Sequence, residues 1–334
     1  MFGFLKQVRP DTDIEPAPQR AQIAAFGKLP IRADFIKLHV SEREIRELDQ
    51  WVQEGYALLS RRLNGAQASE QFPRAGIHHA VFCATENQRA VLATLAPGHD
   101  QSGRWYPFVI ATPLKTPFIK QVQAAVPVVY QPFFRHAHDI VSQRWKNEPL
   151  ETLLGCLKNL GDNCGHSERS TMVEQELGLL RETSLTCMRE LALQHSDSIA
   201  AFFQAVNELL GMVVRRGANR TQWGIRLPLP GGEAGLSILV FWLRLIDSLL
   251  GQNWTGNYFW RFGDHGHLVV FFRRVPPSFL PHLFDDELVD GTVQTLAAMM
   301  ENPSSPSRKA LDLAALEQGS LIDLLSRFVS GGVS

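Results

Sequence analysis

Hydrophobic periodicity changes along this chain in a way that limits its possible folds. Short apolar runs bounded by turn residues have the pattern of β-strands, and they lie at 81–84, 90–95 and 106–112. From 118 to 216, by contrast, apolar residues recur at the spacing of helices. We therefore predict an antiparallel meander followed by a mostly helical middle region at 119–216. Stretches of both kinds in one chain indicate a sheet whose faces are covered by helices.

A long helix is predicted before the meander. Apolar side chains recur on one face of the segment 41–63, at Ile45, Leu48, Val52, Leu59 and Leu63. Ser41, followed three residues later by Glu44, has the pattern of a capping box, and Asn64 with Gly65 supplies a stop. We expect the helix to begin at Ser41 and to end at these two residues.

Shorter patterns predict the other elements. The run 23–29 is expected to form a buried strand closed by Pro30, because proline cannot donate to a β-ladder. In the second half we expect three elements, namely a strand at 223–229, a helix at 235–250 and a hairpin of 258–262 with 267–272. The polar face of that helix would carry Ser237, Arg244, Asp247 and Ser248.

The chain is expected to divide into three segments. Residues 1–20, with several prolines and few apolar residues, are predicted to be a flexible leader, and one α/β domain is expected over 21–300. A linker and a C-terminal helix would occupy 301–334, with few contacts across the linker. We expect the helix to dock on the body, because monomers seldom expose a large apolar patch. Its apolar stripe consists of Leu321, Leu324, Leu325 and Phe328.

Composition and charge exclude several classes of protein. Lys and Arg number 33 against 34 Asp and Glu, so no overall field attracts nucleic acid or an anionic membrane. The most apolar run, 236–250, is shorter than the roughly 20 residues of a bilayer span. The first residues lack the apolar stretch of a signal peptide. These features predict a cytoplasmic globular protein without membrane insertion, whose four cysteines are thiols.

The sequence does not favour a metal site. Four possible ligands lie in one region, namely Cys156, Cys164, His166 and Cys187, but Cys156 and Cys164 are too far apart to form the close pair typical of structural zinc. In an extended conformation the consecutive residues His78 and His79 would point to opposite faces of a strand. For this pair, and for His136 with His138, we expect exposed or hydrogen-bonded side chains rather than metal ligands. We therefore predict neither a bound metal nor a disulfide.

Catalytic motifs also receive no support. The chain has no nucleophile-elbow motif. Gly27 and Lys28 suggest a phosphate loop, but Leu29 stands where that motif requires Ser or Thr. No catalytic residue and no cofactor are predicted.

Two polar segments, 26–36 and 100–107, remain as candidates for a functional site. Each places charges among apolar residues at the end of a predicted strand. Such charges are costly unless they are paired, so the carboxylates are expected to find cations of the two segments. Arg104 in particular should be partly buried, within salt-bridge range of Asp34 or Asp100. The candidate residues, which form either a structural charge network or a recognition or ligand surface, are Lys28, Arg32, Asp34, Asp100 and Arg104.

Both segments contain motifs that recur in one family. The first has Phe26-Gly27-Lys28-Leu29-Pro30, Arg32 and Asp34-Phe35, and the second has Asp100, Gly103-Arg104 and Tyr106-Pro107. This combination resembles the TagF/ImpM family of type VI secretion accessory proteins. Ala33 departs from the family pattern, which usually has glycine at that position. Weaker similarity extends the resemblance over residues 24–283.

The resemblance implies a three-layer α/β/α sandwich with a mixed, largely antiparallel sheet. It also implies a cytoplasmic, non-enzymatic regulator that represses type VI secretion after translation. Such a regulator would bind a component of the secretion machinery, for example a forkhead-associated scaffold protein, and the five candidate residues would contact that partner or hold its surface. Two alternatives stay open: a small-molecule or phosphate-binding enzyme whose pocket the same charges line, and a structural component of the secretion apparatus.

Overall fold

The computed structural model describes residues 22–63, 70–83, 89–115, 122–162, 169–251, 254, 256–301 and 304–330. The strands are β1 (Ala24–Gly27), β2 (Ile36–Leu38), β3 (His78–Cys83), β4 (Arg89–Ala96), β5 (Phe108–Lys115), β6 (Gly224–Pro228), β7 (Asn257–Arg261), β8 (His267–Phe271) and β9 (Val293–Thr295). They form one sheet with the order β2-β1-β5-β4-β3-β7-β8-β6-β9.

Helices lie before, between and after the strands. They are α1 (Arg43–Arg62), α2 (Val126–Val129), α3 (Gln131–Ser142), α4 (Leu150–Asp162), α5 (Arg169–Glu182), α6 (Thr186–His195), α7 (Ile199–Arg216), α8 (Ala234–Leu250), α9 (Leu296–Glu301), α10 (Arg308–Ala314) and α11 (Leu321–Ser330). Short 3-10 helices are formed by Phe72–Arg74, Ala218–Arg220 and Pro277–Leu283.

Strand pairing confirms the predicted mixed, largely antiparallel sheet. β3, β4 and β5 form the expected antiparallel meander, and β7 pairs with β8 as the expected hairpin. Only the pair of β6 with β9 is parallel among the described strands. The predicted helix-rich middle region is also confirmed, because α2 to α7 occupy it.

Both faces of the sheet are covered, since alternate strand residues enter two separate hydrophobic clusters. Ala25 and Val81 belong to the larger cluster, which includes buried residues of α2 to α11, and we call this side the helix-rich face. Phe26 and Ala80 point the other way, into a cluster formed with α1 and the 3-10 helix Pro277–Leu283. We call this side the α1 face.

Helix α1 is held on its face by aromatic packing and a close backbone approach. Trp51 stacks on Phe259 of β7 with 5.4 Å between ring centroids, and its Nε1 donates to the Pro276 carbonyl at 3.2 Å. Burying a large apolar side chain contributes about 1.5–3 kcal/mol. At Gly55, an added Cβ would lie 2.4 Å from the Cβ of Leu280, so the approach of the two elements requires glycine.

The expected capping box of α1 is wrong, and the helix begins two residues later than predicted. Glu42 is the N-cap, and no side chain caps the helix, so Ser41 and Glu44 do not form the reciprocal pair. Both glutamates approach Arg89 of β4 instead, Glu42 at 3.2 Å and Glu44 at 3.9 Å. Because the Glu44 carboxylate lies near Arg89, it does not accept a hydrogen bond from the backbone N–H at the start of the helix. The expected stop at 64–65 lies outside the described residues.

The predicted polar face of α8 is largely covered by other helices. Of its four expected residues, only Ser248 is exposed. Ser237 is buried and accepts a hydrogen bond from Thr183 Oγ1 at 3.0 Å. Two nitrogens of the Arg244 guanidinium bind the two carboxylate oxygens of Glu176 on α5. These polar groups thus join two helices inside the protein rather than facing water.

The C-terminal segment docks on the body and contains one helix more than predicted. α10 lies between the proline-rich stretch and α11, and Nη1 of Arg189 donates to the carbonyls of Ala314 and Leu316 at 2.7 and 2.8 Å. The expected docking of α11 is observed, because its four stripe residues are buried in the helix-rich face. These contacts join the residues after the linker to the body, so the expectation that few contacts cross the linker is wrong. The division of the chain near residue 300 remains a prediction.

No single helix of the described ranges is long and apolar enough to cross a membrane. α6 and α7 reach that length and composition only together, as a pair bent by 87°.

Candidate functional site

Two loops at one end of the neighbouring strands β1 and β5 carry the candidate residues. β1 ends at Gly27, which has a φ of 119°. A Cβ there would lie 2.0 Å from the carbonyl oxygen of Pro107, so both conformation and space require glycine. The backbone N–H of Gln101 donates to the Arg32 carbonyl at 3.0 Å and joins the loop after β1 to the loop before β5. The two sequence segments therefore meet in space.

Asp100 is the centre of this arrangement and is fully buried. Its Oδ2 lies 3.0 Å from Nζ of Lys28 and 2.7 Å from Nε of Arg104. Its Oδ1 accepts from the backbone N–H and hydroxyl of Ser102 at 3.0 and 2.8 Å, and from the backbone N–H of Arg104 at 3.0 Å. We call Lys28, Asp100, Ser102 and Arg104 the loop network.

These contacts fix the ionisation of Asp100. Burial alone would raise the pKa of its carboxyl group, but hydrogen bonds from Lys28, Arg104 and Ser102 outweigh burial and hold that pKa well below its usual range. Asp100 is therefore a carboxylate at neutral pH. A general acid or base works best with a pKa near the operating pH, so this group is suited to holding structure rather than to moving protons.

Arg104 only partly matches its prediction. It pairs with Asp100, as expected, but 63% of its side chain is exposed, so the expectation that it is partly buried is wrong. Its Nη2 also donates to the carbonyl of Ala33 at 2.6 Å. The guanidinium thus forms a bridge on the outside of the loop network, linking its buried carboxylate to the other loop.

Arg32 and Asp34 do not join the loop network, and for Asp34 this corrects the prediction that it would find a cation. Both residues are exposed, and neither forms an ion pair within the described part of the chain. Oδ1 of Asp34 accepts from the backbone N–H of Phe35 at 2.7 Å, so the carboxylate binds the backbone of its own loop rather than a cation. Ala33, where the family usually has glycine, does not adopt a positive φ, so the departure causes no backbone strain.

Phe35 is a surface residue that the site prediction missed. It is 44% exposed, and its ring lies 5.0 Å from Nζ of Lys28 and 4.8 Å from the ring of Tyr106. The residue stands within the first motif, but the sequence gives no sign of its exposure, because aromatic residues are usually buried. Exposed groups surround the buried Asp100, and we call Arg32, Asp34, Phe35 and Arg104 the loop surface.

The described residues contain no group of three or more His, Cys, Asp or Glu that could hold a metal ion. Cys83, Cys156 and Cys187 form no disulfide within the described residues. Cys164 and His166, which were considered as possible metal ligands, lie outside the described residues.

The two histidine pairs lie on different kinds of element. His78 and His79 occupy consecutive positions of β3 and hence opposite faces. His136 and His138 lie on α3 rather than on a strand.

Comparison with known proteins agrees with the motifs. Residues 24–160 match the TagF N-terminal domain, described as type VI secretion system-associated. Among solved structures, the crystal structure of PA0076 from Pseudomonas aeruginosa PAO1 aligns with a TM-score of 0.45 and 13% identity, over 80% of this chain and 96% of that one. None of the curated proteins matches the chain significantly. Residues 24–160 of the chain therefore match a TagF N-terminal domain, a domain described as type VI secretion system-associated.

Proposed function

We propose that this protein is a non-enzymatic, cytoplasmic regulator that represses type VI secretion after translation. It would do so by binding a component of the secretion machinery, such as a forkhead-associated scaffold protein. The observation that carries the proposal is the loop surface, an exposed group held by a buried charge network within the matched TagF domain. The five residues proposed to bind the partner or to hold the binding surface are Lys28, Arg32, Asp34, Asp100 and Arg104.

Two properties of the loop surface favour protein recognition. Phe35 and Arg104 combine an exposed aromatic ring with an exposed guanidinium, and both residue types are enriched where proteins bind each other. The backbone beneath them is held by the Asp100 hydrogen bonds and by the bond between the loops, so less conformational entropy is lost on binding. A rigid surface of this kind suits a binding module.

The loop network itself offers little to an enzyme mechanism. Both oxygens of Asp100 are occupied, and Nζ of Lys28 is buried against that carboxylate. Neither group is free to bind a substrate without breaking the network. For this reason we favour the binding module over an enzyme whose pocket these charges line.

A binding assay with surface variants tests the proposal. The purified protein is titrated against the forkhead-associated scaffold protein of the same secretion cluster, and Phe35→Ala and Arg32→Glu are each expected to weaken binding about tenfold or more. Arg135→Glu, an exposed substitution on α3, is the matched control and should bind as the wild type does. Equal binding by all variants would remove the loop surface from the interface.

Two further measurements separate the alternatives. A regulator should be substoichiometric in the assembled secretion machine, whereas a structural component should be stoichiometric. Turnover of generic phosphoesters or esters that is lost in Lys28→Met would support the enzyme instead. The regulator proposal expects no such turnover.

A further inference from the structure

Four adjacent strands place polar side chains side by side at one end of the α1 face. These side chains are His78 of β3, Arg261 of β7, His267 of β8 and Arg226 of β6. Arg261 stands directly opposite His267 in the register of β7 and β8, and the rings of His78 and His267 are 5.7 Å apart. The middle of the same face is apolar core, so this polar end is a distinct group.

An irregular segment, residues 284–292, covers this end of the face, and we call it the strap. The carboxylate of Asp286 on the strap pairs with the guanidinium of Arg261. The backbone carbonyl of Asp286 accepts from Nη1 of Arg226 at 2.8 Å. The strap thus contributes one anion to the group, and we call the five residues the strap cluster: His78, Arg226, Arg261, His267 and Asp286.

Five polar atoms of the strap cluster are buried without a hydrogen-bond partner. They are Nε and Nη2 of Arg226, Nε2 of His78, Nε2 of His267 and Oδ1 of Asp286. His78 and His267 are only 2% and 5% exposed. Buried polar groups are nearly always hydrogen-bonded, so this many unpaired atoms in one cluster points to a partner that is not part of the chain.

The unpaired nitrogens of both imidazoles are acceptors. Nδ1 of His78 lies 3.1 Å from the Gly76 carbonyl oxygen, and Nδ1 of His267 lies 3.0 Å from the His265 carbonyl oxygen. A carbonyl only accepts, so each Nδ1 carries the proton and each neutral ring has a bare Nε2. Burial, together with the neighbouring guanidiniums, lowers the pKa of His267 to about 3, and burial is also the main cause that lowers the pKa of His78. Both rings are neutral at pH 7.

The charge of the strap cluster is therefore positive. The guanidiniums of Arg226 and Arg261 pair directly with one carboxylate, that of Asp286, so the five residues carry one excess positive charge. Asp285 of the strap attracts Arg226 without an ion pair and offsets that charge only in part. A buried charge that is not neutralised is costly, so a bound anion would lower the free energy of the folded state.

We propose that the strap cluster is a binding site for a small protonated oxyanion of the phosphate type. Nε and Nη2 form one edge of the Arg226 guanidinium, and such an edge binds two oxygens of an oxyanion at once. Oδ1 of Asp286 and the two bare Nε2 atoms are three acceptors, and the hydroxyl of hydrogen phosphate can donate to one of them. The same cluster thus presents the donors and the acceptors that this ligand needs. The proposal does not depend on the partner proposed above.

Other occupants fit less well. A metal cation would meet the acceptors but would be repelled by two guanidiniums. Sulfate would meet the donors and the charge, but it carries no proton at neutral pH for the acceptors. Water alone could satisfy individual atoms, but it would leave the positive charge in place. Selectivity for phosphate over sulfate is therefore the property that identifies the site.

Titration of the full-length protein with inorganic phosphate at constant ionic strength tests this assignment. Histidine ring resonances are followed by NMR, and those of His78 and His267 are expected to shift saturably while that of exposed His39 does not. Arg226→Gln should weaken phosphate binding at least about tenfold, because the variant loses the charged guanidinium whose Nε and Nη2 would donate to the phosphate oxygens. The matched control Arg274→Gln, on an exposed residue after β8, should bind phosphate as the wild type does.

A second comparison uses only the wild-type protein, so it decides the question even if Arg226→Gln fails to fold. Sulfate should bind at least about tenfold more weakly than phosphate, because the acceptors remain unpaired in its complex. Non-saturable shifts, equal affinity for the two anions, or a crystal structure grown in phosphate with only water at the unpaired atoms would each overturn the assignment.

Discussion

The loop network and the strap cluster both contain buried charged groups at a sheet end, and they differ in how fully their atoms are paired. Each oxygen of Asp100 accepts at least two hydrogen bonds from the two loops. In the strap cluster, Asp286 uses one oxygen for Arg261, while its other oxygen and two donors of Arg226 are unpaired.

This difference separates two uses of buried charge. A network whose donors and acceptors are matched within the chain loses stability when any member is removed, because the partners that remain are buried and unpaired. A cluster with unmatched atoms is already short of partners, and removing one member relieves part of that cost. The loop network holds the two loops that carry the loop surface. The strap cluster has unpaired atoms that the proposed ligand would bind.

The largest expected effect is that of Asp100→Ala, which should lower the free energy of unfolding by about 3–5 kcal/mol. The variant leaves the ammonium group of Lys28, a residue only 7% exposed, without its carboxylate. Urea unfolding followed by tryptophan fluorescence measures the loss. Asp34→Ala is the matched control, because Asp34 is an exposed aspartate of the neighbouring loop, and it should change stability by no more than about 0.5 kcal/mol. Similar losses in the two variants would contradict the role of Asp100.

The sequence was sufficient to predict most of the elements, although not β2, β9 or α10, but it did not predict which charges meet. Charges among apolar residues after a strand correctly marked both loops of the site. The local sequence pattern could not show whether Arg104 pairs with Asp34 or with Asp100. Arg104 donates to the Ala33 carbonyl, whereas the Asp34 carboxylate accepts from the neighbouring backbone N–H of Phe35. The capping box of α1 failed for a similar reason, because Arg89 on a distant strand attracts Glu44.

The strap cluster was beyond sequence reasoning altogether. His78 and Arg261 lie far apart in the chain and become neighbours only through the strand order β3-β7-β8-β6. Hydrophobic periodicity predicts strands but not their order, and each of these polar residues taken singly fits the end of a strand. The unpaired atoms could be recognised only once the register and the strap were known.

The pH dependence of stability should distinguish the two groups. The pKa of folded His267 is lowered to about 3, so between that pH and the unfolded value of about 6.5 the unfolded chain binds the proton more readily. Stability is thus full above pH 6.5 and falls as the pH falls, by up to about 1.4 kcal/mol per pH unit for this ring. His267→Gln should reduce the slope between pH 6.5 and 5, measured by urea unfolding in phosphate-free buffer.

Asp100 should affect a lower pH range. Its pKa is also lowered on folding, so its contribution is present above the unfolded value of about 3.9 and is lost as the pH falls below it. Asp100→Ala should therefore leave the slope between pH 6.5 and 5 unchanged. A changed slope in this variant, together with an unchanged slope in His267→Gln, would reverse the assignment of the two groups.

A smaller effect is expected for Arg104→Ala, about 1 kcal/mol of lost stability. The side chain is 63% exposed, so water screens its attraction to Asp100, and that carboxylate keeps Lys28 and Ser102. Arg104→Lys should recover only part of the loss, because lysine lacks the planar fork that binds Asp100 and the Ala33 carbonyl together. Thermal unfolding of the three proteins measures the difference. A loss as large as that of Asp100→Ala would show that the exposed bridge holds the loops by itself.

The smallest effect is expected for Arg226→Met in phosphate-free buffer, within about 1 kcal/mol of wild type and in either direction. Methionine fills a similar volume, removes two unpaired donors and leaves Asp286 paired with Arg261, so the cluster loses its excess positive charge. Lys28→Met, the same kind of replacement in the loop network, should lower the free energy of unfolding by about 3 kcal/mol, because it leaves the buried Asp100 carboxylate without the Lys28 ammonium group. Urea unfolding of both variants compares the two sites directly. Equal losses would mean that Arg226 is as fully paired in solution as Lys28, and the distinction between a completed network and an incomplete one would then fail.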